Sequence, residues 1–506
     1  MPLTLRLERL LLLSAILASS MAFIDSTALG VALPSIQEQL NLNATELLWV
    51  VNAYTLFLAA LILVGGRMGD LYGRKRVFAA GIILFAGASL VCGLAGSGGV
   101  LIAARAVQGV GGALMTPGSL ALIAALVSPD RRGRAIGTWS TFSTLTTLLG
   151  PFVGGVLAQA GLWRMVFFIN LPLALMSLWA LREIPENRDA AAPPQLDWLG
   201  ALLVTLGLAG LTYGFTEAPT LGFGHPGILV TLIGGLAALT AFLFTQARGH
   251  HPMMPLNLFR SRAFSGSNAL TFFLYAALGA VPVFLTLNLI QVQGYQPQEA
   301  GLTLLPLGIV LALMSRWAGG LADRMGARPL LTLGPALAGG GFFAFALPGL
   351  TAGPSSYWWT YFPGALLLGI GMGLTVAPLT ATVMGAAPAQ SSGAASGINN
   401  AVARTASVLA VAILGALALT VFSSGLLARA SELDLSAGSL DALKAEVVKL
   451  AQAAPPAGLD ADQTSAVQGA IHWAYIETFR WVAVIGAALA GLSALLGWWL
   501  VPPRRV

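Results

Sequence analysis

Charge is what this sequence has least of. Asp, Glu, Lys and Arg make up 9% of its 506 residues, against roughly 25% in a soluble domain, so the chain lacks the polar surface to cover itself in water. It has three lysines, Lys75, Lys444 and Lys449, and none follows a glycine as a phosphate-binding Walker loop requires. ATP-driven pumping by this chain alone is therefore excluded. The single cysteine, Cys92, rules out an internal disulfide and any cysteine-based metal cluster. The four histidines, His225, His250, His251 and His472, show no metal-ligand spacing. With no metal set and no nucleophile–base set, neither an enzyme nor a bound cofactor is expected. The net charge of +6 rests on scattered arginines rather than a dense basic stripe, which is not a nucleic-acid signature.

What the chain does have is apolar sequence, 57% of it, in runs long enough to cross a membrane. A hydrocarbon core of about 30 Å needs about 20 helical residues. Fourteen segments meet or approach that length: 10–33, 47–66, 77–95, 100–127, 135–160, 165–181, 199–215, 228–244, 264–290, 300–318, 330–350, 358–384, 394–422 and 473–501. The expected fold is an all-α polytopic membrane protein. An even count puts both termini on one side, and that side collects nineteen of the Lys and Arg residues against four on the other. The positive-inside bias makes it cytoplasmic, a bacterial inner membrane is the expected location, and the preference for Arg over Lys suggests a GC-rich bacterium. The 60 glycines suit closely packed membrane helices.

The loop after the second span reads Gly66-Arg-Met-Gly-Asp70-Leu-Tyr-Gly73-Arg74-Lys75-Arg76, and the loop after the tenth reads Gly319-Gly-Leu-Ala-Asp323-Arg-Met-Gly326-Ala-Arg328. Asp70 and Gly73 align with Asp323 and Gly326 at one offset. Such a repeat implies two similar halves, and the offset leaves room for two extra helices between them. The predicted organisation is a six-helix bundle over 1–190, two inserted helices over 191–255, and a second six-helix bundle over 256–506 with an outer loop at 423–470.

The Gly66–Arg76 run is similar to the loop motif of the major facilitator superfamily. Four further stretches resemble its fourteen-span drug:proton antiporter branch. They are Asp25-Ser-Thr-Ala-Leu-Gly-Val-Ala-Leu-Pro34, Arg105-Ala-Val-Gln108-Gly109-Val-Gly111, Gly150-Pro151-Phe-Val-Gly154-Gly155, and Trp163-Arg164 running into Phe167-Phe-Ile-Asn170-Leu-Pro172. Leu71 and Thr146 depart from the usual pattern. The resemblance implies a major facilitator fold and a proton-coupled exporter of amphipathic drugs or toxic small molecules, working by alternating access. It implies protons as coupling ion, no other cofactor, and a monomer in lipid. It also implies gating roles for Asp70, Gly73, Arg74, Arg131, Gly150, Pro151, Gly154 and Asp323, with Asp70 held by the start of span 13 at Ser391-Ser392-Gly393. Export or flipping of lipids or lipophilic metabolites is the alternative. A membrane scaffold recruiting an envelope partner through loop 423–470 is a third.

The residues that could carry chemistry are few. Asp25 lies about 22 Å along span 1 at 1.5 Å per residue, and Arg105 enters span 4 to a similar depth, level with Asn52 and Tyr54. An ionised Asp at a helix centre costs about 2.5–3.5 kcal/mol on insertion scales. Burial disfavours a charged carboxyl and a nearby guanidinium favours it. An acid pulled both ways by a movable neighbour can load and release a proton, whereas a fixed neighbour makes a structural pair. Arg404 on span 13 has no acid near it in the sequence. It either binds an anionic substrate or satisfies the carbonyls of a broken helix. Asn52, Tyr54, Gln108, Trp139, Thr144, Asn170, Tyr275, Asn399, Asn400 and Arg404 are candidates for lining a substrate cavity. In the outer loop, Leu440, Leu443, Val447 and Leu450 recur at helical spacing, which predicts an amphipathic helix forming a solvated cap at the membrane surface.

Overall fold

Backbone amides inside a bilayer must be satisfied within a helix or a closed barrel, and this chain uses helices. The computed structural model describes residues 4–188, 195–249, 252–387, 392–433 and 435–503, the side chains of 129, 130, 132, 133, 140, 141, 144, 148, 316, 323, 392 and 393 excepted. No strand occurs among the described residues. In chain order the α-helices are α1 Leu5–Leu40, α2 Ala44–Tyr72, α3 Arg74–Leu94, α4 Gly98–Leu126, α5 Pro129–Gln159, α6 Met165–Phe168 and α7 Asn170–Leu181. Then come α8 Trp198–Leu221, α9 Pro226–Arg248, α10 Arg262–Leu287, α11 Pro297–Thr303, α12 Leu305–Met325 and α13 Ala327–Ala346. The last are α14 Tyr357–Thr360, α15 Phe362–Gly385, α16 Ser392–Ala430, α17 Ala437–Glu446 and α18 Ala461–Leu500. Polar residues start many of them: Thr4, Ser97, Asp197 and Ser261 each accept an N–H of the following first turn, and Asn43 with Glu46 closes a reciprocal box.

Twelve helices are long and apolar enough to cross a membrane among the described residues. The expected count of fourteen rests on two shorter apolar pieces, Leu145–Gln159 within α5 and Met165–Leu181 across α6 and α7. The hydroxyl-rich stretch from Thr138 to Thr147 lowers the apolar content of α5. The sixth segment is divided at Ile169, with Pro172 in the first turn of its second piece, where a missing N–H is tolerated.

The long helices outrun the hydrophobic segments. Asp25 consequently lies near the middle of the 36-residue α1. Helices α16 and α18 extend into the expected loop and leave only 431–460 between them. That segment is a cap solvated on one face, where Asp441, Lys444 and Lys449 are exposed, and buried on the other. Leu443, Val447 and Leu450 are buried, and Leu440 packs against the same core. The Gln37 amide donates to the Lys449 carbonyl at 3.3 Å, and the Gln452 amide donates to the Pro34 carbonyl at 3.2 Å. Its apolar face finds helix ends there instead of a lipid surface.

We call this the cap end of the molecule, and the opposite end, which carries the α1 start and the α18 finish, the terminal end. At the cap end the helices before α8 meet those after α9: Gln291 donates to Gln37 at 3.2 Å, and α5 packs on α11. The α8–α9 hairpin is fastened to α2 by Trp49, whose indole donates to Glu217 at 3.1 Å. At its other end Gln246 donates to Asp197 and accepts from the Met254 amide.

Candidate functional site

Asp25 and Arg105 are brought together in the interior of the first helices. Both are buried, at 0% and 1% exposure, and Arg105 Nη1 donates to Asp25 Oδ2. The same Nη1 donates to Gln108 Oε1 at 2.7 Å, and Arg105 Nε donates to the Val50 carbonyl at 3.1 Å. The guanidinium carbon lies 4.4 Å from the centre of the Tyr54 ring and 6.0 Å from that of Phe167, within cation–π range. Gln108 Nε2 in turn donates to Asp25 Oδ1 at 2.8 Å and to Ser89 Oγ at 2.9 Å, and Asn170 Nδ2 donates to Ser89 Oγ at 3.2 Å. Cys92 Sγ lies 3.8 Å from Gln108 Oε1. A carboxylate, a guanidinium and two amides thus form one chain of hydrogen bonds across α1, α3, α4 and α7. A buried pair so held has its charges matched and further hydrogen bonds on both partners, the kind of support under which such pairs persist in a low dielectric.

Gln108 and Asn170 are fully buried in this network, so neither lines an open cavity in this conformation. Ser89, the node between them, carries no signal in the sequence, since a serine in an apolar span is usually packing glue. Asn52 does not join. It is buried with both amide atoms unpartnered, one helical turn from Leu48 and Leu56 on the face of α2 that meets α16. Trp139 donates to Ser19 of α1 at 2.9 Å. The side chain of Thr144 lies outside the described residues. Among the later helices, Asn399 donates to Asn268 and to Thr271 Oγ1, Ser407 donates to the Tyr275 carbonyl, and Asn400 is exposed. Arg404 is half-buried one turn beyond Asn400.

The glycine-proline stretch of α5 is a packing seam beside Asp25. A Cβ on Gly150 would stand 1.8 Å from Thr27 Oγ1, and one on Gly154 would stand 2.3 Å from the Ala28 carbonyl oxygen. The Pro151 carbonyl meets Gly301 of α11 in the same way. Only glycine lets these backbones approach so closely.

At the terminal end Asp70 Oδ1 accepts from Arg74 Nε and Nη2 at 3.0 and 2.8 Å, and Arg74 also donates to Asn187. Glu186 accepts from the amides of Lys75 and Arg76, capping the start of α3. That anchor is not legible in the sequence, because Glu186 lies more than a hundred residues away. Gly73, at φ +108°, is where α2 turns into α3, and Gly326, at φ +83°, does the same between α12 and α13. The repeat is therefore structural as well as textual. Arg131 lies 3.1 Å from Glu8 in an ion pair. Of the expected partner of Asp70, residue 391 and the side chains of 392 and 393 lie outside the described residues, as does the side chain of Asp323.

The family model for the Major Facilitator Superfamily matches residues 15–427. The puromycin resistance protein pur8 of Streptomyces alboniger is 34% identical over 78% of this chain and 79% of its own. The cephamycin export protein CmcT of Amycolatopsis lactamdurans is 35% identical over 82% and 85%. The tetracenomycin C resistance and export protein of Streptomyces glaucescens is 29% identical over 96% and 90%. In fold, the chain is similar to an inward-facing, occupied bacterial homologue of the human lysosomal transporter Spinster, with TM-score 0.63, 18% identity and coverage of 96% of this chain and 95% of that one. It is likewise similar to an auto-inhibited peptide transporter of the POT family, with TM-score 0.66, 14% identity and coverage of 99% and 98%. The chain is a multi-pass membrane transporter, not an enzyme, and it belongs to the Major Facilitator Superfamily.

Proposed function

We propose that this protein exports drug-like amphipathic molecules in exchange for protons, by alternating access, with Asp25 as the proton carrier. The observation that carries the reading is the buried Asp25–Arg105 pair inside the first helices, in a chain whose relatives are named for resistance and export. A proton arriving from outside binds a carboxylate oxygen of Asp25, and the neutral acid no longer holds Arg105 by charge. When access changes to the other face, the proton leaves and the pair re-forms. Substrate crosses in the opposite sense through the space between the two helix groups. The positive-inside bias assigns the terminal end, with both chain termini, to the cytoplasm of a bacterial inner membrane.

The driving force is sufficient. One charge moving across 100 mV is worth about 2.3 kcal/mol, which supports a substrate gradient of roughly fiftyfold per proton. In proteoliposomes with an imposed pH gradient, wild type should accumulate substrate uphill. Asp25→Asn should lose uphill transport while still binding substrate. Undiminished accumulation by Asp25→Asn would defeat the proposal.

A further inference from the structure

Arg404 is, among the described residues, a cation without a counter-charge. Among the described residues its guanidinium makes no hydrogen bond, ion pair or ring contact, whereas Asp25 is already matched by Arg105. The possibility that it satisfies loose carbonyls is removed by α16 itself, which runs unbroken from Ser392 to Ala430. Its neighbours fix where it stands. Ala401 and Val408, about one turn to either side, pack into clusters with side chains of α2. Ser407 bonds the Tyr275 carbonyl on α10. Arg404 therefore lies on α16 between a helix of the first group and a helix of the second. This strip of α16 is open rather than packed, since Asn400, one turn away, is exposed and Arg404 only half-buried.

We infer that Arg404 is the recognition point for an anionic group, such as a carboxylate, sulfonate or phenolate, on an otherwise apolar substrate, so that the exported class is amphipathic organic anions. A guanidinium on an open strip between helices, with no protein partner among the described residues, presents its donors to whatever enters. The inference rests on the proposed exporter function and adds an energetic consequence. An anion moving out as a proton moves in shifts two charges in the same electrical direction, so an interior-negative potential assists both.

The test uses the full-length protein in detergent, with no gradient, and two dyes of opposite charge, fluorescein and rhodamine 6G, followed by fluorescence anisotropy. Wild type should bind fluorescein in preference to rhodamine 6G. Arg404→Gln should weaken fluorescein about tenfold or more, as expected for loss of a charged hydrogen-bond partner, while Arg404→Lys retains most of the affinity. Thermal unfolding reports whether each variant is folded, and if Arg404→Gln is not, the wild-type preference alone decides. Preference for rhodamine 6G, or fluorescein binding within twofold of wild type in folded Arg404→Gln, overturns the inference. The two readings separate under a pH gradient. Arg404-dependent fluorescein binding without gradient-driven movement leaves this inference standing and removes antiport. Gradient-driven movement that Arg404→Gln leaves intact does the reverse.

Discussion

Gln108 ties the Asp25–Arg105 pair to the rest of its bundle, accepting from the arginine while donating to the aspartate and to Ser89. Leucine at this position would leave Asp25 Oδ1 without that donor in a buried site, a loss of about 1–3 kcal/mol. Gln108→Leu should therefore lower the thermal unfolding temperature of the purified protein, and an unchanged midpoint would mean that water or Asn170 replaces the amide. Asp25 and Arg105 were legible from sequence because charges inside apolar spans are costly and therefore informative. Depth could be read by counting residues, but direction around the helix could not. Asn52 is close in sequence to Tyr54, yet it faces α16 with no partner, while Tyr54 lies under the arginine. Gln108 and Asn170 were expected to face a cavity because a polar residue in a span looks the same whether it lines a cavity or bonds a neighbour.

At the scale of elements, α5 and the segment between α16 and α18 do the joining. The α5 glycines bring its backbone against Thr27 and Ala28, directly after Asp25. Gly154→Val would place a branched side chain into the Ala28 carbonyl and force the helices apart. Transport should fall severely while membrane insertion, measured by expression level, persists. Normal transport would show that the seam can yield. The cap predicts a different readout. Gln37→Ala combined with Gln452→Ala removes the side-chain hydrogen bonds to Lys449 and from the cap to Pro34. Amide hydrogen exchange in residues 437–452 should then speed up, and exchange at the wild-type rate would show that apolar burial alone holds the segment. Hydropathy misplaced the limits of this region for a physical reason. It marks where lipid begins and ends, whereas helices continue beyond the lipid as long as their backbone bonds do, as α16 and α18 show.

For the whole molecule, the sequence repeat around Asp70 and Asp323 was the most informative feature, and the paired left-handed glycines Gly73 and Gly326 give it a structural basis. What could not be read was how the two helix groups sit together, because contacts such as Gln37–Gln291 and Gly301–Pro151 join residues far apart in the chain. Those contacts, with the cap over them, close one end of the molecule, as an alternating-access cycle requires in one of its states. The central claim is that proton movement and substrate movement are one event through Asp25. The direct measurement is proton flux in proteoliposomes containing a trapped pH-sensitive dye, started by adding fluorescein on one side. Wild type should move protons opposite to the substrate, and Asp25→Asn should exchange substrate with no proton flux. Substrate-driven proton flux persisting in Asp25→Asn would contradict the account.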